Sequence, residues 1–210
     1  SIARRLPLGV VGVISPWNLP LYLLTWKLAP ALAAGNCVIA KPSEITPMSA
    51  NLLARTAQEI GFPAGVLNIV QGSGETAGAA LVSHRGVKAI SFTGSTAVGH
   101  RIAATCADQF KKVTLEMGGK NPALVFPDAP AQALKTLVRS AFQNSGQICL
   151  CGSRILIHRA IYEDFKHAFV SEAERLKIGP PSDPETQLGP VMSEPHFRKV
   201  LSYIALAREE

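Results

Sequence analysis

From Leu8 to Leu115 the chain keeps repeating one alternation. A short β-branched run is followed by a polar loop and then by a stretch with helical spacing. The runs are 8–15, 37–40, 66–70, 87–92 and 112–115; the helical stretches are 20–34, 46–59, the segment ending near 83, and 97–110. Pro47 falls in the first turn of the second helix, and Gly35-Asn36 and Gly61 follow the first two helices as stop signals. Strands alternating with helices of this length predict βαβ units and an open, mostly parallel Rossmann-like α/β sheet. Ligands of such sheets sit beyond the carboxyl ends of the strands. The polar segments Ser15–Asn18, Lys41–Glu44, Gln71–Gly74, Thr93–Thr96 and Glu116–Gly119 all fall at those ends.

After Gly119 the alternation restarts, with predicted strands 121–126 and 154–158, helices 131–144 and 161–177, a Pro-rich loop 179–190, and a last helix from 194. A domain boundary is therefore expected at Gly118-Gly119. Residues 1–118 form one unit and 119–210 the opening portion of a second α/β domain that has too few strands to be complete.

Composition bounds the function. Hydrophobic residues make up 47% of the chain, enough for a packed core, and no apolar run approaches the roughly 18 residues of a membrane span. No secretory leader is recognised, and four scattered cysteines suit a reducing, cytoplasmic setting. The net charge of +6 comes from dispersed residues, gathered at most into doublets such as Arg4-Arg5 and Lys111-Lys112, with no interleaved aromatics. Nucleic acid is thus not expected as a partner, although a mild positive field favours an anionic cofactor or substrate.

Cys149 lies in a Gly- and Ser-rich turn between a helix and a strand, where a thiol can be presented to a ligand. Glu116 ends a strand and precedes two glycines, and Asn18 is held at another strand end between Pro16 and Pro20. A thiol, a carboxylate and an amide so placed suit a nucleophile, a base and an oxyanion stabiliser. An ordinary thiol, a surface acid and a turn amide fit the same spacing equally well. Cys149 and Cys151 have no matching metal-ligand pair, so no metal site is expected, and a disulfide across so short a loop is strained. None of the five histidines is marked out as a partner for Cys149.

Gly72-Ser-Gly74-Glu-Thr-Ala-Gly78 misses the dinucleotide fingerprint by one residue, and Gly94-Ser-Thr-Ala-Val-Gly99 is followed by His100 instead of the Walker Lys. Both place glycine at a helix start after a strand, where free backbone N–H groups suit a pyrophosphate. Lys41 and Glu44 are placed for an adenosine ribose, and the carboxylate favours NAD over NADP.

Taken in order, Pro16-Trp-Asn-Leu-Pro20, Lys41-Pro-Ser-Glu44, Phe92-Thr-Gly-Ser-Thr-Ala-Val-Gly99, Leu115-Glu-Met-Gly-Gly-Lys-Asn-Pro122 and Gly146-Gln-Ile-Cys149 resemble the NAD(P)-dependent aldehyde dehydrogenase family. The resemblance implies that Cys149 is the catalytic thiolate, that Asn18 and the Cys149 N–H stabilise the oxyanion, and that Glu116 activates the water that hydrolyses the thioester. It implies that NAD is bound by Ile14, Ser15, Pro16, Trp17, Lys41, Glu44, Gly74, Phe92, Gly94, Ser95, Val98, Gly99, Met117 and Gly118. On this basis 1–118 is an NAD-binding domain and 119–210 part of a catalytic domain. The full-length enzyme is expected to be a homodimer or homotetramer acting on a small aldehyde.

The segments Pro16–Lys27 and Ile148–Arg154 are most similar to the 2-aminomuconic and 2-hydroxymuconic semialdehyde dehydrogenases, which act on small acidic aldehydes. Asn144-Ser-Gly-Gln147 departs from that subgroup's Asn-Gln-Gly-Glu. The chain matches the central part of a longer family pattern, without its early strands or its later Glu-x-Phe-Gly-Pro segment. An inactive fragment or a non-catalytic relative therefore remains an alternative, as does a phosphorylating or CoA-acylating enzyme.

Overall fold

A computed structural model describes residues 6–210, so the Arg4-Arg5 doublet lies outside the described residues. The chain divides into two compact units, Ser1–Gly118 and Gly119–Glu210.

The first unit runs β1 (Val10–Ile14), α1 (Pro20–Ala33), β2 (Cys37–Lys41), α2 (Met48–Glu59), β3 (Leu67–Ile69), a π-type turn (Gly74–Gly78) leading into α3 (Ala79–Ser83), β4 (Val87–Thr93), α4 (Thr96–Ala107) and β5 (Lys112–Glu116). The strands form one sheet in the order β3-β2-β1-β4-β5, and every pairing within it is parallel. The chain therefore leaves β3 on one side of β1 and returns on the other at β4, which opens a crevice at the carboxyl ends of β1 and β4.

Alternation along each strand sends neighbouring residues to opposite faces. Val13 joins Leu24, Leu28, Val38 and Ala50 under α1 and α2, while Ile14 joins Leu81, Val82, Ile90, Phe92 and Ile102 under α3 and α4. Fully burying a side chain such as Leu24 contributes about 1.5–3 kcal/mol. Gly12 is required where β1 passes beneath α3, because an added Cβ would come within 2.6 Å of Ile90 Cδ1. Beyond α1 the backbone turns through a left-handed Gly35 at φ 81°, and the Asn36 side chain then accepts from Leu8 N at 2.6 Å and donates to Ala31 O at 2.9 Å.

Several ends differ from the predicted ones. Pro47 caps α2 instead of lying inside its first turn. α4 stops at Ala107, short of Phe110, because the chain turns back through a left-handed Phe110 (φ 51°), whose ring projects into solvent.

The second unit contains β6 (Pro122–Val125), α5 (Ala133–Phe142), β7 (Arg154–Ile157), α6 (Tyr162–Glu174) and α7 (Glu194–Glu209). β6 and β7 pair in parallel, with α5 and the turn after it forming the crossover. α5 ends two residues before the predicted limit because Asn144, Ser145 and Gly146 all adopt left-handed backbone angles, which no helix can continue. α6 ends at Glu174, and the Pro-rich loop closes on itself through an Ile178–Leu188 bridge. Among the described residues no helix is long and apolar enough to cross a membrane.

Candidate active site

In the first unit a cleft of about 470 Å³ opens at the carboxyl ends of β1, β2 and β4, between α3 and α4. Ile14 and Phe92 of the sheet line it from below, with Val82 of α3 and Val98 and Ile102 of α4 at its sides. Lys41, Gly74, Glu75, Arg101 and Thr105 supply its polar rim. Apolar walls with a few polar groups at the edge suit a flat heteroaromatic ring joined to an anionic tail. Ile14, Lys41, Gly74, Phe92 and Val98 were expected here. Ala79, Val82, Arg101 and Ile102 were not, because they read in sequence as ordinary helix residues; Gly78 was noted only as the last glycine of the Gly72–Gly78 loop.

Lys41 is buried, and its ammonium is fully engaged. It donates to Pro42 O at 2.9 Å, Gly72 O at 2.8 Å and Glu44 Oε2 at 3.1 Å. It thereby ties the loop after β2 to the loop after β3 and leaves the half-exposed Glu44 carboxylate as the outward group. That carboxyl lies below its ordinary pKa, chiefly through its own backbone N–H, with Lys41 and the Gly74 N–H adding to the effect and desolvation opposing it. Gly78 is buried, with its Cα turned toward the Lys41 stem; an added Cβ would meet Lys41 Cδ at 3.6 Å.

The turn into α4 is built from Gly94, Ser95 and Gly99. Ser95 Oγ caps the helix by accepting from Val98 N at 3.4 Å, and Gly94 N donates to Glu116 O at 3.0 Å, which ties the ends of β4 and β5 together. A Cβ on Gly94 would overlap the Phe92 ring, and one on Gly99 would come within 2.5 Å of Met117 Sδ. Gly118 has open space around it.

On the opposite, α1-facing side of the sheet lies a row of polar groups. Thr93 pairs with Glu116, Ser91 with Val13, and Ser15 falls one residue past the Ile14–Phe92 pair. Ser15, Thr93 and Glu116 thus stand side by side at the carboxyl edge of three adjacent strands. Ser15 Oγ and Thr93 Oγ1 are buried without a hydrogen-bond partner. Below them the buried Lys27 of α1 donates from Nζ to Ser91 Oγ at 3.0 Å. Desolvation lowers the Lys27 pKa, and the field of the Glu116 carboxylate opposes the shift. In the sequence Lys27 was named only as the end of the Pro16–Lys27 segment; the hydroxyls at alternate positions 91 and 93 of a buried strand were the available signal. Asn18 follows β1, half-buried beside Pro16 and Trp17, and its Oδ1 accepts from Leu19 N at 3.1 Å.

Cys149 belongs to the second unit. It is half-buried, three residues after left-handed Gly146, in the turn between α5 and β7. Cys151 is buried, with its thiol directed to Gln143 O at 3.9 Å. Ser145 Oγ donates to Gly189 O at 2.6 Å, and Gln147 Oε1 accepts from Met192 N at 2.9 Å. The two positions that depart from the muconic subgroup therefore both brace this turn against the loop before α7.

The aldehyde dehydrogenase family profile matches residues 1–210. The chain is 54% identical over 98% of its length to a 2-aminomuconic semialdehyde dehydrogenase of Danio rerio, of which it spans 42%. It is 49% identical over 98% of its length to a 2-hydroxymuconic semialdehyde dehydrogenase of Pseudomonas putida, of which it spans 43%. A solved NAD+ complex of an aldehyde dehydrogenase from Bacillus cereus superposes with a TM-score of 0.96 at 42% identity, covering 98% of this chain and 42% of that one. The chain thus spans less than half the length of the relatives it matches, but the match takes in every residue of its own; it belongs to the aldehyde dehydrogenase family.

Proposed function

We propose that this chain carries the cofactor-binding sheet and the nucleophile turn of an NAD-dependent aldehyde dehydrogenase that oxidises a small acidic semialdehyde to the carboxylic acid. In this reading residues 1–118 bind NAD and 119–210 belong to the catalytic domain. The observation that carries it is the cleft at the switch point of the first unit, ringed by the Lys41–Glu44, Gly74–Gly78 and Phe92–Gly99 segments. The substrate class rests on the names of the similar semialdehyde dehydrogenases.

The residues fit NAD. Val82 and Ile102 would hold an adenine ring, Glu44 a ribose with a free 2′-hydroxyl, and the capped start of α4 the pyrophosphate. The buried, unpartnered hydroxyls of Ser15 and Thr93 mark the edge where a further polar group fits. When bound, NAD supplies the hydride acceptor for the oxidation.

The Cys149 thiolate attacks the aldehyde carbon and forms a C–S bond, and the carbonyl oxygen becomes an oxyanion bonded by the Asn18 amide and the Cys149 N–H. Loss of hydride from that carbon leaves a thioester on Cys149. Glu116 takes a proton from water, whose oxygen adds to the acyl carbon as the Cys149 thiolate departs. The acid is released with the thiol restored. In the full-length protein, Cys149→Ala is expected to abolish NADH formation from 2-aminomuconic or 2-hydroxymuconic semialdehyde. Undiminished turnover would remove Cys149 from the reaction.

A further inference from the structure

The carbonyl of Cys149 is held by a side chain from outside its turn. Asn121, one residue before β6, donates from Nδ2 to Cys149 O at 2.7 Å and to Cys151 O at 3.3 Å. Only the NH2 end of an amide suits a position between two carbonyl oxygens, so chemistry fixes the orientation of this group. Asn121 is itself anchored. Its own carbonyl accepts from Arg154 N at 3.3 Å, and Arg154 Nε donates to Lys120 O at 2.9 Å. Its Oδ1 lies over Gly119, where an added Cβ would come within 2.8 Å of it.

The other side of Cys149 is pinned too. Cys151 N donates to Ile148 O at 3.1 Å. The peptide plane before the Cys149 Cα is therefore held through Ile148 O, and the plane after it through Cys149 O. A residue has only two soft backbone dihedrals, and fixing both flanking planes fixes both. The direction of the Cα–Cβ bond that carries the thiol is then set as well. The Cys149 N–H belongs to the first plane and donates to no backbone carbonyl among the described residues.

We propose that Asn121 is a positioning residue for the nucleophile. Its amide, by clamping Cys149 O and Cys151 O, aims the Cys149 thiol and the Cys149 N–H together, without touching substrate or cofactor. The proposal rests on the reading of Cys149 as the attacking group. Nucleophile and oxyanion donor lie on one residue, so a turn of its backbone misdirects both. A misplacement of about 1 Å can cost on the order of a hundredfold in rate.

The test uses the full-length protein with Asn121→Ala, the isosteric Asn121→Asp, which keeps the volume and loses the donor, and Gly119→Ala. Gly119→Ala leaves the amide in place chemically but pushes on its Oδ1. Single-turnover NADH formation is measured per titrated Cys149 thiol, so that a partly unfolded fraction does not count. Both Asn121 variants are expected to lose about ten- to a hundredfold in this rate with the KM for NAD unchanged, and Gly119→Ala to lose less in the same parameter. A rate within about twofold of wild type in Asn121→Asp overturns the proposal. If neither Asn121 variant folds, an unchanged rate in Gly119→Ala does the same. Cys149→Ala separates the two readings. Full activity there removes the nucleophile, whereas a dead Cys149→Ala beside a fully active Asn121→Asp removes only the clamp.

Discussion

Lys27 of α1 reaches the sheet and places its ammonium 3.0 Å from Ser91 Oγ on β4, in a position that the apolar face of α1 otherwise keeps dry. A buried ammonium without a partner is costly, and here a single hydroxyl and the more distant Glu116 carboxylate offset that cost.

Ser91→Ala is therefore expected to destabilise the fold by about 1–3 kcal/mol at neutral pH. The folded pKa of Lys27 lies below its ordinary value of 10.5, so between the two the unfolded chain binds more protons than the folded one. The Lys27 contribution thus makes stability rise with pH through that window. The deficit of Ser91→Ala should shrink as pH approaches 10.5, because a neutral amine needs the hydroxyl less. Urea unfolding of both proteins across this range checks it; a deficit independent of pH would show that Lys27 is not the cause.

Gly94 and Gly99 both support Phe92, yet substitutions there should not cost the same. A Cβ on Gly94 meets the buried Phe92 ring, which has nowhere to go, whereas one on Gly99 meets the flexible end of Met117. Gly94→Ala is expected to cost about 1–3 kcal/mol and to weaken NAD binding by tilting the cleft floor. Gly99→Ala should cost less than Gly94→Ala. Thermal unfolding with a parallel NAD titration distinguishes the two, and equal losses would contradict the packing argument.

Glu44 is held outward by Lys41, with its carboxyl kept ionised below the usual range. If this charge repels a 2′-phosphate, Glu44→Gln should narrow the preference for NAD over NADP by about tenfold or more, equivalent to ~1.4 kcal/mol. KM values for both cofactors measure it. An unchanged ratio would place the selectivity elsewhere.

The parallel sheet and its loops were legible because buried strands write themselves as β-branched runs and helix ends as Gly or Pro. Ser15, Lys41 and Glu116 could be placed at strand ends on that basis alone. The walls of the cleft could not, since Val82 and Ile102 look like any core residue until the topology sets α3 beside α4. Lys27 was hidden because burial of a charge is decided by one tertiary hydroxyl. The helix before Cys149 was read two residues too far, to Asn144, because Gly146 is the plainest left-handed signal in the turn that follows. Asn144 and Ser145 adopt it as well, with Ser145 bonded to Gly189, 44 residues away in sequence.

In the proposed reaction Cys149 carries the acyl group and Glu116 releases it. In full-length protein with Glu116→Gln, one turnover with a muconic-type semialdehyde and NAD should leave the acyl mass on the peptide containing Cys149, detected by peptide mass spectrometry after acid quench. NADH release without any adduct on Cys149, or an adduct on Cys151 instead, would contradict the account.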